Sequence, residues 1–202
     1  MDKIYSAEDL SARIREYGIL PFWSEDGFSA WQLSGVNFNT LWSIREAVVN
    51  TRTVAYGKFV NKKATFVSLD VFPYLCSLRR DGYDFDSAAD EGKMPNREIS
   101  VMKAVGDTPT PSYNLGKTLG IKGYDSAVTS LQNKTYLCLN FKKSMMGTAL
   151  LCRPEVLFGD EKVRSAYSLS PAECAEQILK RASGLKHFSD AEIKKILTPA
   201  VI

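Results

Sequence analysis

Histidine is nearly missing from this chain of 202 residues, with His187 its single example. A zinc centre would have to combine His187 with scattered cysteines or carboxylates that no local spacing brings together. A His-dependent catalytic triad would have to use this same residue. Neither a metal nor a cofactor is expected. The four cysteines, Cys76, Cys138, Cys152 and Cys174, form no C-x-x-C pair, so they read as buried thiols of a reducing compartment. Long apolar runs are missing too: nothing approaches the roughly 18 continuous apolar residues of a membrane span. Asp2, Glu8 and Asp9 stand where an export signal needs its apolar core. These absences predict a cytoplasmic protein with no membrane partner.

Two common catalytic signatures are also incomplete. Gly116-Lys117-Thr118 ends like a phosphate-binding loop but lacks the upstream glycine and the preceding strand. Ser29, in Phe28-Ser29-Ala30, lacks the flanking glycines of a nucleophile elbow. The carboxylates Glu25, Asp26, Asp84, Asp86, Asp90 and Glu91 fall in polar loops, where solvated acids are expected.

What is present is the ordinary mix of a globular protein, 45% apolar and 24% charged, on a chain long enough for one large domain or two small ones. Charge is unevenly spread. Residues 1–101 hold 12 basic and 14 acidic side chains, the remainder 14 and 9. A mildly basic second half permits an anionic partner without demanding one.

Periodicity divides the chain. Ser6 opens a helical pattern through Leu10, Ile14 and Tyr17 that Gly18 stops, and a second helix is expected to start at Asn39 or Thr40. Thr53–Val60 and Ala64–Ser68 are β-branched and aromatic around Asn61-Lys62-Lys63, a hairpin signal. A helix is expected from Asp70 to Arg80, then a polar, acidic stretch from Asp84 to Gly92 that ends in Lys93-Met94-Pro95, read as a boundary between lobes. Helices follow over 96–105, 112–119 and 124–134, then a hairpin of 135–141 and 148–152. That order is a winged helix-turn-helix. With Phe141 and Thr148 flanking the turn, Cys138 opposes Leu151 and faces away from Cys152. Ser170-Pro171-Ala172-Glu173 and Ser189-Asp190-Ala191-Glu192 are capping boxes of two final helices, with Gly184 closing the first.

In a winged helix the third helix offers polar side chains to the major groove and the hairpin offers cations to phosphate. Here those side chains are Ser126, Thr129, Ser130 and Asn133, with Lys134 at the helix end and Lys142 and Lys143 at the wing tip. No arginine lies on that face to make the bidentate guanine contact, which points to weak, shape-guided or nonspecific duplex binding. Lys58, Lys62 and Lys63 around the first hairpin, with Arg79 and Arg80, form a second basic group. For the two arginines the helix dipole alone is sufficient reason. Gly57, inside a strand, marks a bulge, a close approach, or room for a ligand beside Lys58. Two aromatic clusters (Phe22, Trp23, Phe28, Trp31, Trp42; Tyr56, Phe59, Phe66, Phe72, Tyr74) have core spacing, although such rings also stack unpaired bases.

Several phrases are more specific. Val54-Ala55-Tyr56-Gly57-Lys58-Phe59-Val60, Phe72-Pro73-Tyr74, Arg79-Arg80-Asp81-Gly82-Tyr83-Asp84-Phe85-Asp86, Gly123-Tyr124-Asp125, Leu131-Gln132-Asn133-Lys134-Thr135-Tyr136-Leu137 and Pro154-Glu155 resemble a group of bacterial winged-helix proteins known as AlkZ-related. The resemblance runs from about Leu20 to Gly159. Its better-known relatives are winged-helix DNA glycosylases that remove bulky alkylated bases and unhook interstrand crosslinks, stacking several such units around DNA. Their signature, Gln-x-Gln or Gln-x-Asp, positions a water at the sugar. Its nearest counterpart here is Gln32-Leu33-Ser34, and a serine cannot replace the second amide or carboxylate in orienting or deprotonating water. The chain is also about half the length of those enzymes, so the resemblance implies that catalysis is lost, with Gln32 the sole weak candidate.

The expected fold is thus α+β: a winged helix-turn-helix lobe at 95–159, a smaller N-terminal helix and hairpin lobe at 1–94 that is a diverged second unit, and a C-terminal helical extension at 160–202. The expected function is non-enzymatic binding of double-stranded DNA, in repair or regulation. The alternatives are a glycosylase with a degenerate Gln-x-Ser site and a protein-interaction module that has lost DNA binding.

Overall fold

The computed structural model describes residues 3–24, 27–142 and 148–198. Its first helix, α1 (Ala7–Tyr17), begins where Ser6 closes a capping box: the hydroxyl accepts from Asp9 N, while the Asp9 carboxylate accepts from the backbone of Tyr5 and Ser6. Leu10, Ile14 and Tyr17 turn inward. Strand β1 (Ile19–Pro21) follows. Helix α2 (Phe38–Asn50) starts before the expected cap, because it is the Asn37 side chain that accepts from Thr40 N.

Strands β2 (Val54–Val60) and β3 (Lys63–Ser68) are joined by Asn61 and Lys62, both at positive φ, the geometry of a tight two-residue hairpin. The antiparallel sheet runs in the order β1-β3-β2. Helix α3 (Phe72–Arg80) begins two residues later than Asp70, since Val71 N–H turns back onto the Ser68 carbonyl.

Asp84 caps a short helix, α4 (Phe85–Asp90), by accepting from Ser87 N, and Phe85 and Ala88 are buried. They join an apolar cluster with Val101, Met102, Leu131 and Leu151. Polar composition hid two apolar residues three apart, enough to dock one helical turn.

Next come α5 (Asn96–Val105), β4 (Thr110–Pro111), α6 (Ser112–Leu119), α7 (Tyr124–Asn133), β5 (Cys138–Phe141) and β6 (Ala149–Cys152). The second antiparallel sheet has the order β4-β6-β5. Both sheets therefore place the first strand in sequence beside the third and the second at the far edge. Each also has a helix before its first strand and another just before its second.

Strand β5 is shorter than expected because Thr135, buried at φ +64°, bends the chain ahead of it. Its register with β6 also corrects the expectation: Cys138 pairs with Cys152 and Phe141 with Ala149. That one-residue difference puts both thiols on the same face, inside the cluster that also holds Cys76, Phe59, Phe72 and Ile178. All four cysteines are buried and free. Burial pushes the Cys76 thiol up to about 11 and the Cys152 thiol up to about 12.

Helices α8 (Pro154–Phe158), α9 (Asp160–Arg164), α10 (Pro171–Arg181) and α11 (Asp190–Ile196) complete the chain. Both expected capping boxes are formed, Ser170 with Glu173 and Ser189 with Glu192. Helix α10 ends at Arg181, ahead of Gly184, which lies in a 3-10 turn (Ser183–His187) so close to β1 that a Cβ would stand 2.4 Å from the Ile19 carbonyl oxygen. The whole is a mixed α+β fold of many helices around two small antiparallel sheets. Among the described residues no helix is long and apolar enough to cross a membrane.

Candidate nucleic-acid interface

Helix α7 buries Ala127, Val128 and Leu131 against α5 and β6, so the opposite side must carry Ser126, Thr129, Ser130 and Asn133. Ser126 is exposed and the other three are half-buried. Gln132 is buried, and its Oε1 accepts the Lys58 N–H at 2.8 Å. Strand β2 has its bulge between Gly57 and Val60, and Gln132 accepts from a backbone N–H within that irregular stretch. A Cβ on Gly57 would come within 3.1 Å of that oxygen. The strand glycine thus admits a side chain from the other sheet's helix. Lys58 is drawn into the same joint, its Nζ donating to Thr129 Oγ1 at 3.3 Å.

A concavity of about 600 Å³ lies along this helix face, bordered by Ser126, Thr129, Ser130 and Asn133 with Lys62, Arg97, Lys134 and one carboxylate, Asp125. Lys62 arrives from the β2–β3 turn and Arg97 from the first turn of α5. Arg97 was not singled out in the sequence. The signal was there: a cation in the first turn of a helix opposes the helix dipole and wants another reason to be present. A second cleft, of about 1030 Å³, flanks the other side of α7, where Lys58, Lys117 and Tyr113 meet Thr129 and Ser126.

Three basic side chains are buried. Lys134 borders the first concavity but is largely covered, its Nζ 3.1 Å from the Glu98 carboxylate on α5. Arg80 is fully buried, bonding Glu155 at 2.5 Å, the Tyr167 hydroxyl at 2.9 Å and both oxygens of Thr135. Burial works against its charge, but the Cys76, Glu155 and Tyr167 groups around it hold its pKa above the ordinary arginine range. Arg79 is buried as well, beneath the ends of α7 and α11. The sequence placed both arginines at a helix end; it is their tertiary partners that remove them from solvent.

Lys63 is exposed but borders a different cavity, about 670 Å³ between Trp23, Phe28, His187 and Phe188. Lys142 is exposed at the end of β5, its N–H donating to Thr148 O at 3.2 Å. Lys143 and the turn to Gly147 lie outside the described residues, as do Glu25 and Asp26.

Gln32 is exposed in a turn between β1 and α2, its N–H on Ser29 Oγ and its carbonyl accepting from Lys3 Nζ. Ser34, two positions on, is engaged at both ends with the Val36 backbone. His187 stacks on Phe28, with ring centroids 4.1 Å apart. No group of three or more metal-ligating side chains occurs among the described residues. Most of the aromatic clusters are core, but Trp23, Phe38 and Trp42 stay about 40% exposed. They form a continuous surface with Trp31, which stacks on Trp23 at 5.0 Å.

This arrangement of two sheets and their helices is shared with a solved structure, the Streptomyces sahachiroi DNA glycosylase AlkZ. The TM-score is 0.51 at 13% sequence identity, with 96% of this chain and 59% of that one superposed. The chain therefore spans a little over half the length of that protein. Residues 4–198 match the family model described as AlkZ related, and the chain belongs to that family. No protein of curated function matches the sequence.

Proposed function

We propose that the chain is a winged-helix protein that binds double-stranded nucleic acid, DNA first, without catalysing a reaction on it. On this reading 95–159 is the winged helix, α7 its recognition helix and β5–β6 its wing. Residues 1–94 are a diverged second unit and 160–202 an extension. The sheet order β4-β6-β5 behind a helix pair supports the winged-helix assignment, and the matching order β1-β3-β2 supports the second unit.

The observation that carries the reading is the α7 groove. Hydroxyl and amide groups of Ser126, Thr129, Ser130 and Asn133 line it, and the cations at its border from two other elements, Lys62 and Arg97, outnumber its one carboxylate, Asp125. Hydroxyls and amides reach base edges, and the border cations suit phosphate. Lys142 would add a wing contact. With no arginine on the α7 face, readout rests on shape more than on bidentate guanine contacts.

Binding to a mixed-sequence duplex across a salt series tests this. Affinity should fall steeply with salt, and Lys62→Ala/Arg97→Ala should make the slope shallower by about 2. Absence of binding at low salt would sink the proposal.

Two other readings have less behind them. Glycosylase chemistry, the activity named for the Streptomyces protein, would rest on Gln32. Its neighbour Ser34 is committed to a turn, and the reading requires base release from alkylated duplex that Gln32→Ala abolishes. An interaction module is favoured by the exposed Trp23, Phe38 and Trp42 surface.

A further inference from the structure

A cleft of about 800 Å³ opens between the β2–β3 turn, the end of α7 and helix α11, lined by Asn61, Lys62, Arg79, Asn133, Lys194 and Lys195 among others, with no carboxylate in its wall among the described residues. Arg79 forms its floor. The guanidinium donates to the carbonyls of Asn133 (3.3 Å), Lys195 (3.2 Å) and Ile196 (3.3 Å) and to Asn133 Oδ1 (2.5 Å). Every one of these acceptors is neutral. Its sequence neighbour Arg80 is as deeply buried but has the Glu155 carboxylate.

The two therefore differ in charge balance. Burial lowers Arg79 to about 10, whereas Arg80 is held above its ordinary value. The carbonyl ends of α7 and α11 offer Arg79 only partial negative charge. Lys62, Lys194 and Lys195 are all exposed around the rim and add three more cations from two separate segments. A largely desolvated cation under a ring of exposed ones raises the local potential where an anion can reach it. Lys62 and Asn133 line this cleft and also the α7 groove, so the two adjoin.

We propose that the cleft seats a backbone phosphate of the nucleic-acid strand lying on α7, with Lys62, Lys194 and Lys195 in direct contact and Arg79 positioning them from below. The C-terminal helix is then part of the interface. This rests on the duplex-binding reading above and extends its footprint by two cations that neither the periodicity nor the family motifs marked.

The test is the fluorescence anisotropy of a labelled duplex of mixed sequence titrated across a potassium chloride series. It compares wild type, Lys194→Ala/Lys195→Ala, and Lys162→Ala/Lys180→Ala, two exposed lysines on α9 and α10, as the charge-matched control. The first variant should lose about tenfold or more in affinity and make the salt slope shallower by about 2, with the control close to wild type. Circular dichroism checks that truncating exposed side chains leaves the fold intact. If wild type binds duplex and both variants behave alike, the cleft is overturned while the α7 reading stands. If wild type fails to bind at low salt, both fall.

Discussion

Helices α2 and α7 occupy the same place in chain order, each just before the second strand of its sheet, yet they present opposite chemistry. Helix α2 shows rings, Phe38 and Trp42, and packs Arg45 among them, its guanidinium 3.7 Å from the Trp42 centroid and 4.3 Å from that of Phe141. Helix α7 shows hydroxyls and an amide, and the lysine at its end is neutralised by Glu98. A shared frame thus fixes where a helix sits and leaves open what it offers. Each helix also has a cation to accommodate: Arg45 lies among rings and pairs with Glu46 at 3.2 Å, and Lys134 pairs with Glu98.

That contrast can be broken most forcefully at the buried ion pair. Glu98→Ala strands the Lys134 ammonium and should destabilise the protein by about 3–5 kcal/mol in urea unfolding. Arg45→Met takes its charge away together with the contacts it makes, so its cost should be only about 1–2 kcal/mol. Equal costs would mean that stranding a buried cation is no worse here than removing one. On the proposed reading the two faces also differ in function: Trp42→Ser should leave duplex affinity within about twofold, because neither Phe38 nor Trp42 lines the α7 groove. A loss as large as that of the Lys62→Ala/Arg97→Ala variant would make the aromatic face part of the interface.

The smallest expected effect concerns acid. Asp9 is held below the ordinary 3.8 by the Tyr5 backbone N–H, Glu173 below 4.5 by the Ser170 hydroxyl, and Glu192 below 4.5 by the Ser189 backbone N–H. A depressed carboxylate stabilises the fold above its unfolded pKa, and that contribution disappears as pH falls through the folded value. Helices α1, α10 and α11 should therefore fray below about pH 4. Helix α5, whose Pro95 cap makes no side-chain hydrogen bond, has no such box to lose. Hydrogen exchange resolved by segment at pH 6 and pH 3 distinguishes α1 from α5. Equal loss of protection in both would remove the capping boxes as the cause.

Local features were legible in the sequence because their causes are local. Ser6, Ser170 and Ser189 cap helices through residues three positions on, and Asn61-Lys62 makes a turn by itself. The exposed face of α7 followed from helical period alone. What stayed hidden depends on partners far along the chain. Lys134 meets Glu98 36 residues away, and Arg80 meets Glu155 75 residues away. Neither spacing carries a local signal, so three basic residues that composition assigns to the surface lie inside. The β5–β6 register slipped by one for a related reason: the apolar faces on both sides of that hairpin leave period-two patterning without a preferred phase. For the same reason the groove was half visible, its helix from periodicity and its border cations only from the assembled fold.

The Gln132–Lys58 hydrogen bond has a consequence of its own. A single side-chain amide from α7 accepts a backbone N–H of the bulged strand β2, and Gly57 clears the space for it. Swinging one sheet away from the other would leave that part-buried N–H without its acceptor, so the pair resists acting as a hinge. The spacing between the β2–β3 turn and α7 is in effect a fixed gauge, set when the chain folds. A partner that enters it meets a tool already clamped to width, and any bending needed to fit falls on the partner.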